Sequence, residues 1–174
     1  MTTVGERRGG QPVVCHPDGQ SIQLPRIPLT ERLVDEGWLQ DLIERNPQSL
    51  PVQEIEPAFA PVVSIGKEVP TAVGSIDNLY VSPEGFITIV ETKLWRNPEA
   101  RRQVVGQIID YATALSRWSY RELNDYVRNY NLSFRGEELD LFETLRREYG
   151  IPADDEPRLV DRISLNLRQG RLLL

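Results

Sequence analysis

One cysteine, one histidine and one methionine stand among 174 residues. Cys15 has no partner for an internal disulfide, which fits a reducing compartment. One Cys and one His (His16, which follows it) cannot build a zinc site, so His16 reads as a structural or surface residue. No apolar run approaches the roughly 18–20 residues of a membrane-crossing helix, and the N-terminus has no apolar signal-peptide segment. The cytoplasm is therefore the expected address, with no membrane partner. Gly66 and Gly74 are isolated, so a glycine loop that cradles nucleotide phosphates is excluded. Nor is there an excess of positive charge. A net charge of −6 speaks against a surface that is basic throughout and binds nucleic acid indiscriminately.

What is present is ordinary globular material. About 40% of residues are apolar and 26% charged, in a chain long enough for one substantial core and short for two. Charge is unevenly spread. From Arg96 to Arg128 six arginines face four acids, whereas over residues 131–161 nine acids outnumber the arginines. Solvated helix faces explain both segments as well as a basic binding face does.

Pattern along the chain predicts an α/β fold. Residues 1–10 read as a flexible leader. Runs 12–15 and 21–24 flank Pro17-Asp18-Gly19-Gln20, a hairpin turn in composition. Thr30 caps a predicted helix whose apolar stripe is Leu33, Val34, Trp38, Leu39, Leu42 and Ile43, ending near Arg45 before Pro47. Val52–Ile55, Val62–Ile65, Ser75–Val81 and Phe86–Lys93 read as strands, the last two joined by the turn Ser82-Pro83-Glu84-Gly85. Asn97 and Pro98 open a long helix with core positions Val104, Val105, Ile108, Ala112 and Leu115. Residues 119–130, 137–149 and 157–168 follow as helices. The final apolar residues, 172–174, read as a strand that continues in a longer chain or is completed by another one. The predicted division is a core over 11–130 and a helical extension over 131–174.

A turn centred on Glu84 places opposite each other residues whose numbers sum to 168, and Asp77 and Glu91 are such a pair. Cross-strand Cβ atoms stand roughly 4.5–5.5 Å apart. Two carboxylates there repel unless a cation lies between them. The period of two puts Lys93 on the same face as Glu91. Oxygen ligands suit Mg²⁺ or Mn²⁺, which keeps waters and takes one or two carboxylates together with substrate phosphate. Asp77 and Glu91 are the predicted ligands, with the Thr92 carbonyl a third. Lys93 would orient the attacking water or neutralise charge on the phosphate. The plainer alternative makes Glu91 and Lys93 solvent-facing strand residues and Asp77 a turn cap.

The set Gly74-Ser-Ile-Asp77, Ile89-Val-Glu91-Thr-Lys93 and Gln107-Ile-Ile-Asp-Tyr111 resembles the PD-(D/E)XK nuclease superfamily, in the branch with a Q-x-x-x-Y helix. The likeness spans roughly residues 31–118. It implies a restriction endonuclease-like core, a mixed sheet flanked by helices, and metal-dependent hydrolysis of DNA. It implies that Asp77 and Glu91 bind the metal and Lys93 assists hydrolysis. An acid on the first core helix completes such sites; Glu36 matches by position, with Glu31 as the fallback. Gln107 and Tyr111 would support the site or contact nucleic-acid backbone. The chain departs from the family label in carrying Ile76 where Pro usually precedes the Asp, which leaves the ligand intact.

Arg96, Arg101 and Arg102, at the start of the long helix, are candidate phosphate contacts, or partners of Glu99 and other surface acids. Trp38, Trp95 and Trp118 read as packing residues; Trp95 is the best placed for base stacking. A noncatalytic binding or assembly module that keeps the fold is the competing reading, motivated by the acidic C-terminal region and apolar end. A homodimer or an additional domain is the expected protein partner. Single- or double-stranded DNA, RNA, endo- or exonuclease action, and repair, restriction or defence all stay open at this level.

Overall fold

The computed structural model describes residues 12–24, 35–93 and 100–174, without the side chains of 100–103. The leader, the Thr30 cap, Glu31, Leu33, Val34, Trp95, Arg96 and the Asn97-Pro98 cap lie outside the described residues. Among those described, 12–24 belong to one compact unit and 35–174 to another.

The first unit contains an antiparallel hairpin, β1 (Val13–Cys15) and β2 (Ser21–Gln23). Gly19 takes φ +85°, and Asp18 accepts a hydrogen bond from the Gln20 amide, so the Asp-Gly chemistry forms the turn as predicted.

The second unit is α/β. Its described elements are α1 (Glu36–Arg45), a short α2 (Val52–Ile55), β3 (Val63–Thr71), β4 (Gly74–Val81), β5 (Ile87–Val90), α3 (Ala100–Leu115), α4 (Tyr120–Tyr130), α5 (Leu141–Tyr149), α6 (Glu156–Arg168) and β6 (Leu172–Leu173). The sheet runs in the order β3-β4-β5-β6, antiparallel except for the parallel β5/β6 pair. Leu79, Val81, Ile87 and Ile89 are buried in a core with Leu115, Leu123, Val127, Leu145, Ile163 and Leu167 from the four later helices. The segment after residue 130, expected as an extension, thus packs into this same core and adds a strand to this sheet.

Several elements differ from expectation for identifiable reasons. Val52–Ile55 is a helical turn, not a strand: Pro51 starts it, the amides of Glu54 and Ile55 bond to its carbonyl, and only Val52 is buried. α1 begins at Glu36 because Asp35 caps it, its carboxylate accepting from the Trp38 amide at 2.7 Å. The buried residues of α1 are Gln40 and Ile43, and Leu39 is half-buried, while Trp38 and Leu42 stay exposed, so only part of the expected apolar stripe faces inward. β3 runs six residues past Ile65. Gly66 and Pro70 conceal it in the sequence, but an edge strand tolerates Pro. α5 starts at Leu141, not residue 137, with Asp140 as N-cap. Val105, expected in the core, is exposed.

Two irregularities lie beside the region of interest. The β3/β4 register shifts between Ser64 and Gly66, a bulge at Ile65. Between the Lys67/Asn78 and Val69/Ile76 pairs, Glu68 adopts φ +52°. Left-handed backbone at a residue with a side chain costs about 1 kcal/mol. The regular ladder of the edge strand is thus interrupted level with Asp77.

Candidate functional site

The β4/β5 ladder pairs Asn78 with Val90, Leu79 with Ile89, Tyr80 with Thr88 and Val81 with Ile87. This is the register the Glu84 turn predicts, and one step further brings Asp77 level with Glu91, just beyond the end of β5. α6 secures the turn: the Asn166 side-chain amide donates to the Gly85 carbonyl at 2.9 Å, and a Cβ on Gly85 would meet Ile163 at 2.9 Å. The hairpin that sets the two carboxylates is therefore braced from the core.

Asp77 is 8% exposed. One of its oxygens, Oδ2, accepts from the Thr92 amide at 2.7 Å and the Thr92 hydroxyl at 2.8 Å. These two donors fix the carboxylate and draw the chain past β5 toward it. Thr92, expected only as a carbonyl ligand, thus acts through its amide and hydroxyl, a role hinted at in the sequence only by its place next to a predicted ligand.

The Glu91 side chain is 1% exposed. Its Oε1 accepts from Lys93 Nζ at 2.6 Å, and its Oε2, also buried, has no hydrogen-bond partner among the described residues. Burial pushes the Glu91 carboxyl above its ordinary range; Lys93 opposes this and the Asp77 charge adds to it. Burial acts the other way on Lys93, but the Glu91 hydrogen bond and the charges of Glu91, Asp77 and Glu36 outweigh it and raise its ammonium. Lys93 is therefore a firmly protonated cation at neutral pH, a donor rather than a base.

Glu36 enters from the first turn of α1, its Oε2 3.8 Å from Lys93 Nζ. It is in line with the inward residues Gln40 and Ile43 at helical spacing. α1 is itself tied to β4, because the Asn78 side-chain amide donates to the Gln40 carbonyl at 3.2 Å. Lys93 thus bridges Glu91 and Glu36, and the positionally matched helix acid comes to the same cluster.

Tyr111 lies 3% exposed in the core. Its hydroxyl accepts from the Gln107 side-chain amide at 2.6 Å, and a Cβ on Gly74 would stand 3.1 Å from that hydroxyl. The pair therefore supports the start of the strand that carries Asp77, and the buried ring offers nothing to a nucleic-acid backbone. Arg96 and the side chains of Arg101 and Arg102 lie outside the described residues.

A carboxylate oxygen buried without a donor costs about 1–3 kcal/mol or more, and a second carboxylate beside it adds repulsion. A hard cation would relieve both, and the side chains present, all oxygen donors on the acidic members, fit Mg²⁺ or Mn²⁺. Among the described residues no three His, Cys, Asp or Glu side chains stand close enough to cage an ion on their own. Water and phosphate would have to complete the shell. Compared with protein-family models, curated proteins and solved structures, the chain matches none.

Proposed function

We propose that this chain is a metal-dependent nuclease hydrolysing DNA phosphodiester bonds, built on a restriction endonuclease-like core. The observation that carries the reading is the buried Oε2 of Glu91, beside Asp77 and without a hydrogen-bond partner among the described residues. Asp77 and Glu91 would hold Mg²⁺ or Mn²⁺, with the Thr92 carbonyl and Glu36 as further ligands. When bound, such an ion would supply Lewis-acid polarisation of the phosphate and a lowered pKa for water.

The chain's own residues do the rest. Thr92 holds Asp77 in one orientation, which removes the cost of ordering it at binding. Lys93 carries its positive charge into a site that will receive a phosphate. The Lys93 ammonium, held at the carboxylates by Glu91, would be the donor to a phosphate oxygen or the attacking water. Gln107 and Tyr111 keep the start of β4 in place. Arg96, Arg101 and Arg102 remain the proposed phosphate contacts that follow Lys93 in sequence.

A second reading has its own support. The Lys93–Glu91 pair at 2.6 Å already neutralises one carboxylate, as in a noncatalytic binding or assembly module that retains the fold. Cleavage separates the two. Labelled single-stranded, duplex, forked and mismatched DNAs are incubated with Mg²⁺ or Mn²⁺ and either wild type or Lys93→Ala. The nuclease reading expects cutting of at least one DNA by the wild type and its loss in the variant. No cutting of any substrate favours the binding module.

A further inference from the structure

Away from the carboxylates, four aromatic rings form a row along α4 and the turn that follows it. Trp118 and Tyr126 lie 6.2 Å apart between centroids, Tyr126 and Tyr130 6.1 Å, and Tyr130 and Phe134 5.0 Å. The last two contacts are stacked, at interplanar angles of 19° and 29°. Phe134 ends the row and is 73% exposed. A large ring stacked on its neighbour and still mostly in water is a hydrophobic cost the fold would avoid by turning it inward.

The backbone keeps it there. Asn131–Arg135 is a π-helical turn, a rare form frequent at functional sites. It is anchored by the buried Asn131, whose amide donates to the Leu139 carbonyl at 2.8 Å and to the Thr144 hydroxyl at 2.9 Å. Arg135 lies over the Tyr130 ring, 5.4 Å from its centroid.

Phe134 opens onto a cleft of about 580 Å³ lined by four cations, Arg45, Lys67, Arg135 and Arg147, against three carboxylates. The cations are paired with those acids: Lys67 and Arg45 with Asp41, Arg135 with Glu44 and Arg147 with Glu137. The lining carries one more cation than carboxylate, and the exposed Arg45 and Arg147, whose surface pairs are worth little, can turn from their acids to a phosphate. Asp41, Glu44 and Arg45 belong to α1, the helix that begins with Glu36. Five to nine residues at about 1.5 Å each separate them from Glu36, a length of about two to four stacked nucleotides.

We infer that Phe134 is a stacking platform for an unpaired base of single-stranded nucleic acid, with the cations of this cleft meeting the adjoining phosphates. A duplex keeps both faces of each base covered, so a protruding ring selects single strands. The inference rests on the nucleic-acid reading of the carboxylate site and names the form of substrate it takes.

The test is fluorescence anisotropy of a labelled oligothymidylate in EDTA, which reports binding whether or not the chain cleaves. Wild type, Phe134→Ala and Phe134→Trp are compared on this strand, on an abasic strand of the same length and on a duplex. Loss of one stacking contact should weaken binding of the oligothymidylate about fivefold to 150-fold in Phe134→Ala. Phe134→Trp should retain affinity, and its added indole fluorescence should be quenched by the oligothymidylate and not by the abasic strand. The inference fails if the wild type does not bind the oligothymidylate, if Phe134→Ala binds it as well as wild type, or if the abasic strand binds equally. Absence of Mn²⁺-dependent cleavage with these binding results intact would overturn the nuclease reading and leave this one standing.

Discussion

Replacing Glu91 with Gln should stabilise the ion-free protein and remove its response to metal. In EDTA at pH 7 the substitution replaces a buried carboxylate oxygen, without a partner among the described residues, by a neutral amide and removes the repulsion from Asp77. It loses the charge assistance of a hydrogen bond to Lys93, whose side chain is 34% exposed and can recover water. Relief of about 2 kcal/mol against a loss of about 1 kcal/mol leaves a net gain of about 1 kcal/mol. For a chain of this size that raises Tm by about 2–4 °C. The pH dependence has a definite sign. Because the folded-state pKa of Glu91 is raised, the folded protein holds this proton more tightly than the unfolded chain, where Glu titrates near about 4.3. The favourable contribution of Glu91 is therefore complete below that value and is lost as pH rises through the folded pKa. The advantage of the Gln variant should grow from pH 4 toward neutrality and then level off. With Mn²⁺ at about ten times its Kd, the wild type should gain about 1.4 kcal/mol, or about 3–6 °C, and the variant nothing. The order of the two melting temperatures then reverses. Thermal unfolding by circular dichroism reads all four conditions. A variant less stable than wild type in EDTA at pH 7, with a Mn²⁺ shift of wild-type size, would refute the reasoning.

Other perturbations have smaller or simpler outcomes. Glu36→Gln, at an ion pair of 3.8 Å with a half-exposed side chain, should leave ion-free stability within about 0.5 kcal/mol while weakening Mn²⁺ affinity severalfold in calorimetry. Gly66→Ala should cost about 2 kcal/mol in urea unfolding, because the new Cβ would stand 2.6 Å from the Tyr126 ring; an unchanged midpoint would show that the ring moves freely. Tyr111→Phe strands the Gln107 amide and should cost about 1 kcal/mol by the same measurement.

The register of the carboxylate hairpin was legible because turn chemistry is local. Pro83-Glu84-Gly85 leaves one way to close the loop, and with it the row that holds Asp77 and Glu91. The Asn-rich and Thr-rich supports were not legible. The Thr92 clamp on Asp77, the Asn78 bond to Gln40 and the Asn166 bond to Gly85 each join positions whose closeness depends on packing rather than pattern. α1 shows the same limit: Trp38 and Leu42 of its apolar stripe look inward in sequence yet are exposed, and the polar Gln40 is buried beside Ile43 of that stripe. The length of β3 was hidden by Gly66 and Pro70, whose breaking tendency an edge position cancels. The π-helical turn after Tyr130 has no sequence signal that periodicity detects, since it inserts a single residue into a helical repeat.

The most direct measurement is calorimetric titration of Mn²⁺ into wild type and Asp77→Ala, each with a non-hydrolysable DNA strand present to complete the ion's coordination. One bound ion per chain in the wild type, lost in Asp77→Ala, is the expected result. An ion that binds equally to both, or to neither, would contradict a metal centre at Asp77 and Glu91.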